Sequence, residues 1–349
     1  MSKIAADSSS DRELRIKIAG MLSLLVLSVF LTGCPKNDKP EQPRVGVTQS
    51  SPTPGNPAVV PAAVAFNGER AMDHATKQVE IGLRPPGTPG AAKTRQYIVD
   101  NLKSFGLAVT TDEFTASTPV GTRKMANITG EIAGASKDVI IIASHYDTKL
   151  YKDMHFVGAN DPAASVGTVL EIGRVLVASQ QKPAFTYWLV FFDGEESFCD
   201  GWEECGKPGA PDNTYGSRRY VAQLKKNNEL SRVRAMILLD MMGYNKLELG
   251  RDTLSTRWLQ DIIWQTGREL GHGKIFVDRP EGVGGDDHEP FLRAGVDAVD
   301  IIQLNGYPYW HTPHDTLDKI SAESMKTVGD AVIKSLPRVE KYLQNKGRK

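Results

Sequence analysis

The chain has 349 residues, 40% of them hydrophobic, enough to bury one large core or two modest ones. Lys plus Arg and Asp plus Glu number 42 each, so the formal charge is zero, and the only basic run is the short KGRK end. That balance leaves no case for a nucleic-acid partner.

In chain order, the first element is not part of the fold. Behind Arg12, Arg15 and Lys17 runs IAGMLSLLVLSVFLTGC, too short and too close to the N-terminus for a stop-transfer helix. Its end, Leu31-Thr32-Gly33-Cys34, resembles the lipobox of bacterial lipoproteins. The resemblance implies that residues 1–34 are a signal peptide and that Cys34 is the lipidated residue; an uncleaved anchor is the competing reading. Either takes the body of the chain out of the cytoplasm, to a cell envelope, with membrane contact through the anchor only. Residues 35–65 are rich in Pro, Ser and Asn without periodicity, which predicts a disordered tether.

Residues 66–349 are expected to form one catalytic domain. Segment 87–106 places Tyr97, Ile98, Leu102 and Phe105 at helical spacing and closes on Gly106. LAVTTDEFTA and ANITGEIAG are strand-like. DVIIIASHYD, TYWLVFFDG, RAMILLDMMG and AVDIIQL are candidate buried strands, with helices predicted at 164–178, 215–226, 255–270 and 321–344. Apolar strands separated by helices predict an α/β sandwich with a largely parallel sheet. Sites in such sheets lie beyond the carboxyl ends of the strands.

The stretch FFDGEESF, 191–198, puts Asp193, Glu195 and Glu196 straight after an apolar strand. Adjacent glutamates repel, so either this is a solvated turn or one binds a cation while its neighbour moves protons. His145, Asp161, Glu196, Asp240 and His311 have the chemistry of zinc ligands. Singly, such residues are more often caps or hydrogen-bonding groups. The ordered set carries the information: His-Tyr-Asp, Gly-Ala-Asn-Asp, Gly-Glu-Glu, Leu-Asp-Met-Met-Gly and Trp-His-Thr. Cys199 and Cys205 are expected to form a short-range disulfide in an oxidising compartment, with metal binding the lesser alternative.

Together these motifs resemble the zinc-dependent exopeptidase superfamily, which contains metallopeptidase family twenty-eight and the glutaminyl-peptide cyclotransferases, across essentially 66–349. The resemblance implies a three-layer sandwich around a twisted mixed, mostly parallel sheet. It implies Asp161, Glu196 and His311 as ligands of one Zn2+, and Glu195 as the general acid/base. In an aminopeptidase, His145 and Asp240 would hold a second zinc, with Asp161 bridging. In a cyclotransferase one zinc is kept, and Asp240 and Asp286 form a hydrogen-bonded network around Glu195. GDDHEPFLR, residues 285–293, resembles the animal cyclases' Asp-Asp-His-x-Pro-Phe-Leu-Arg, where many aminopeptidases carry Ser-Asp-His. HYDTK, residues 145–149, resembles their His-Tyr-Asp-Ser-Lys. Trp202 and Trp310 are expected to line the substrate pocket.

The leading expectation is therefore an enzyme converting N-terminal glutamine to pyroglutamate on peptides or proteins with a free N-terminus. A two-zinc aminopeptidase is second, and a non-catalytic binding module third, since no ligand or base is lost. Loop 198–213 is longer than in the animal cyclases, and NGYPY at 305–309 departs from their Ser-Pro-Phe-Pro. Lesser expectations place His74, His155 and His272 at the surface or as caps, and His288 and His314 near the site. Asp147 is expected to orient His145, Arg84 to open a turn, and Asn160 to serve its loop.

Overall fold

The run TYWLVFF alternates between two cores. Tyr187, Leu189 and Phe191 face one cluster of buried side chains, while Trp188, Val190 and Phe192 face another. A strand covered on both faces has no polar side, which is why these runs are apolar throughout. Each large side chain so buried contributes about 2 kcal/mol. The structure is a computed structural model, and it describes residues 64–347 apart from 203 and 208. The expected signal peptide, its Cys34 and the expected tether up to residue 63 lie outside the described residues. Among the described residues no helix is long and apolar enough to cross a membrane.

The strands in chain order are β1 Ala108–Thr118, β2 Gly121–Ile132, β3 Val139–His145, β4 Thr186–Phe192, the short pair β5 Gly206–Lys207 and β6 Ala210–Pro211, β7 Val233–Leu239, β8 Leu249–Asp252, β9 Phe276–Glu281 and β10 Ala298–Ile301. Six of them make the central sheet, in the order β1-β2-β4-β3-β7-β10. β4, β3, β7 and β10 run parallel, and the β1–β2 hairpin adds antiparallel to β4. The sheet is mixed and mostly parallel, as expected. The small β8–β9 pair was not foreseen.

The helices are α1 Gly68–Ile81, α2 Pro89–Ser104, α3 Ser165–Ala178, α4 Tyr215–Lys226, α5 Arg257–Glu269, α6 Glu289–Arg293 and α7 Ala322–Lys346. One face of the sheet is covered by α1, α3 and α7, with α2 and α5 packed beside them, and the other by α4 and α6. Helix starts follow capping chemistry. Asn67 accepts from the amides of Glu69 and Arg70, Thr88 from Ala91 and Ser321 from Ser324. Helix α1 was missed, because the apolar side chains it buries are alanines (Ala71, Ala75), which pack closely while giving little hydrophobic signal.

Candidate active site

Parallel strands end at one edge of the sheet, so the residues at and just beyond their carboxyl ends gather there. β3 delivers His145, β4 delivers Glu195 and Glu196, and β7 delivers Asp240. Asp161 arrives on the helical turn Ala159–Ala164 before α3, and His311 on the loop after β10. All except His311 are at most 5% exposed.

The motif HYDTK shows how tightly this edge is built. The Tyr146 hydroxyl lies 2.8 Å from both the Ala126 carbonyl and Asp193 Oδ2, with its one proton shared between them. Asp193 Oδ2 also accepts from the Ala126 amide at 2.9 Å, tying the end of β4 to β2. Asp147 accepts from the amides of Glu195 (3.1 Å) and Glu196 (3.3 Å). Thr148 takes the Arg84 amide at 3.0 Å, and Lys149 donates to the carbonyls of Ser197 and Cys199 at 2.8 and 2.9 Å. The turn needs Gly194, whose φ is +77° and where a Cβ would meet Met125 Sδ at 2.7 Å.

Several expectations change here. Asp147 holds the Glu195–Glu196 backbone and stands 3.6 Å from His145 Nδ1, beyond a hydrogen bond. Arg84 opens no simple turn. It is buried, and its guanidinium donates to the carbonyls of Gln78, Gly82, Tyr146, Val157 and Gly158, locking the segment that leads into Asp161. Asn160 joins two ligand loops, accepting from the Gly243 amide at 2.8 Å and donating to the Met241 carbonyl at 3.2 Å. His74 is buried, 2.6 Å from the Tyr97 hydroxyl, and burial pushes its pKa down to about 4. His155 is exposed, as expected. Asp315 went unnoticed, although it accepts from the amides of Asn160 (2.8 Å) and Asp161 (3.1 Å). It lies 155 positions from Asn160 in sequence and carries no motif of its own.

The donor atoms form two overlapping triads. Asp161, Glu196 and His311 offer atoms all within 4.8 Å of one another, and so do His145, Asp161 and Asp240. His311 Nε2 lies 3.2 Å from Glu196 Oε1 and 3.5 Å from Asp161 Oδ2, while His145 Nε2 lies 3.2 Å from Asp161 Oδ1 and 3.3 Å from Asp240 Oδ1. Ligand atoms about 2.0–2.1 Å from a tetrahedral zinc stand about 3.4 Å apart, so these edges fit. Glu196 Oε2 is buried without a hydrogen-bond partner, a state that an ion relieves. His311 and Met241, the latter next to Asp240, have φ of +56° and +44°. Such left-handed residues cost about 1 kcal/mol or more and concentrate at functional sites.

Glu195 stands in a crowd of acids. Burial pushes it well above the ordinary carboxylate range; His145 opposes this, while Asp286, Glu196 and Asp287 add to it. Burial raises Asp240 to about 7, against the pull of His145. Asp286 and Asp300 are raised by burial as well, and Asp300 is pushed up further by Asp286 and Asp252. Asp300, unforeseen, points from β10 to the face that holds His288, which lies 3.2 Å from Asp252. A strand residue inside an apolar run gives no sign of which face it takes.

A pocket of about 120 Å3 opens on this edge, lined by Glu195, Trp202, Asp240, Asp286, Trp310 and His311 among others. Both predicted tryptophans are there. Trp310 is 41% exposed and stacks on His311 with ring centroids 4.2 Å apart. The expected Cys199–Cys205 disulfide is formed, in the loop that carries Trp202. A larger hollow of about 580 Å3 lies by Arg234, Asp297 and Lys346, at the opposite edge of the sheet, and gathers none of these groups.

The family model for peptidase family M28 matches residues 127–336. The chain belongs to that family. Its relatives include the glutaminyl-peptide cyclotransferase of Bos taurus, 30% identical over 70% of this chain and 76% of that protein. Among solved structures, glutaminyl cyclase from an Acidobacteriales bacterium superposes with a TM-score of 0.74 and 33% identity, over 84% of this chain and all of that one. A leucine aminopeptidase precursor from Bacteroides thetaiotaomicron gives 0.72 and 28%, over 78% and 98%. This M28 member is thus similar to proteins named for both chemistries, and its site has to discriminate between them.

Proposed function

We propose that this chain is a metal-dependent glutaminyl cyclase, turning N-terminal glutamine of peptides or proteins into pyroglutamate with release of ammonia. The observation that carries this reading is Asp286, which lines the same small pocket as Glu195 and Asp240. A pocket of about 120 Å3 is small beside the other hollows of the surface and suits one slender side chain. Asp161, Glu196 and His311 would hold one zinc, which when bound polarises the γ-carbonyl of the glutamine.

The remaining work falls to the chain. Trp202 and Trp310 flank the pocket and enclose the side chain of the substrate. Glu195 accepts a proton from the α-amine as that nitrogen bonds the γ-carbonyl carbon, and returns it to the departing amide nitrogen, which leaves as ammonia. Its raised proton affinity suits both halves of the shuttle, and burial together with Asp286, Glu196 and Asp287 keeps it raised against the pull of His145. Replacing Glu195 by Gln keeps the shape and removes the base. Ammonia release from a Gln-terminal peptide is expected to fall about 10²–10⁴-fold with bound zinc unchanged; undiminished release would remove Glu195 from the role.

The second reading, a two-zinc aminopeptidase, is favoured by the His145–Asp161–Asp240 triad, whose spacing is as suitable as the first. Attachment to a cell envelope through Cys34 belongs to the proposal too, with a lipid anchor as the only membrane contact.

A further inference from the structure

We propose that the disulfide loop and α6 form a cationic groove that takes the residues after the N-terminal glutamine and favours acidic ones. Beside the pocket lies a hollow of about 540 Å3, lined by Trp202, Lys207, Arg218, Gly284, Glu289 and Arg293 among others. Trp202 belongs to both walls, and Gly284 in the groove adjoins Gly285 in the pocket. Both glycines have positive φ, and a Cβ on Gly285 would come within 3.1 Å of Glu289 Oε2, so glycine keeps the passage open. Thr214, also in the groove, donates its amide to the Glu195 backbone carbonyl at 2.8 Å, which ties the groove wall to the segment that carries the base. An extended peptide rises about 3.3 Å per residue, so a groove that shares a wall with the pocket receives residues that follow the glutamine.

The charge of the groove is lopsided. Glu289 is paired with Arg293 at 2.7 Å. Arg218 spends its donors on the neutral carbonyls of Asn213 (3.2 and 2.7 Å) and Pro211 (2.9 Å) and lies over the Tyr215 ring, while the buried Asp287 and Asp212 act on it from nearby without forming an ion pair. Among the described residues neither Arg218 nor Lys207 makes an ion pair. Glu204 turns away to the Gly201 amide at 2.9 Å and does not line the groove. The loop is pre-formed. Asp212 accepts from the amides of Phe198 and Cys199, both at 2.9 Å, and the disulfide closes the turn between them and the groove wall.

This proposal rests on the cyclase reading, and its test separates the two. At low salt, kcat/KM is measured for the amides of Gln-Gly-Glu-Glu and Gln-Gly-Lys-Lys. The acidic peptide is expected to be favoured about five- to tenfold, the scale of two or three part-exposed charge pairs. The preference should fade toward one at about 0.5 M salt, where screening acts within about 4 Å. Lys207→Glu should shrink or invert the ratio. Since both peptides meet the same preparation, loss of folded enzyme does not move it. A ratio near one, or one that Lys207→Glu leaves alone, overturns the groove. If no peptide releases ammonia, the cyclase reading fails, and the same ratio taken from calorimetric binding of the two peptides still decides the groove.

Discussion

Glu195 and Glu196 are neighbours in sequence whose backbone amides are both held by the Asp147 carboxylate. That clamp turns one side chain to the ligand triad and the other to the acidic pocket wall, so adjacency gives two roles without forcing two charges on one spot. Asp286 sits on that wall and raises Glu195. Removing it in Asp286→Ser should therefore lower the proton affinity of Glu195. The acid limb of the kcat/KM profile should move to lower pH, and ammonia release should drop about 10–100-fold, with zinc content unchanged. A profile that stays in place would separate Asp286 from the base. The candidate ligands stood out because each belongs to a short motif at a strand end or in an adjoining loop. Asp300 and Asp315 were not, since their roles depend on which face a strand residue takes and on loops folding together across the sequence.

At the scale of elements, the sequence pattern marked four buried strands and five of the helices, but not the contacts that brace their ends. Arg84 is one such brace. Its guanidinium is desolvated, which lowers its pKa to about 10 despite the nearby Asp315, and it serves five carbonyls. Arg84→Met keeps bulk and strands those carbonyls. It is expected to cost on the order of 3 kcal/mol of stability and to weaken zinc binding through the Asp161 turn; a melt unchanged from wild type would refute the brace. Asp193 gives a pH signature. Burial, with help from Asp147, raises it to about 7, well above an unfolded value of about 3.9. The folded state thus holds the extra proton between about pH 4 and 7, and the stability this group contributes is lost as pH rises through that window. Asp193→Asn keeps the acceptor for Ala126 and Tyr146 and removes the titration. Urea melts should show the variant gaining on wild type by on the order of 3 kcal/mol from about pH 4.5 to 8; parallel curves would contradict this.

At the scale of the molecule, one fold serves two chemistries. The parallel strand ends bring His145, Asp161, Glu196, Asp240 and His311 together at metal-ligand spacing, and both triads share Asp161. The family and its sheet were readable from five short motifs, because the fold places each at one edge. The number of ions was not, since both triads are complete in this chain and share Asp161. The measurement that tests the account most directly is zinc per chain on purified protein lacking residues 1–34, together with turnover of Gln- and Leu-terminal peptides. One zinc, ammonia from the Gln peptide and no free leucine is the result the cyclase reading predicts. Two zincs with release of leucine would contradict it, and would make His145 and Asp240 ligands of the second ion.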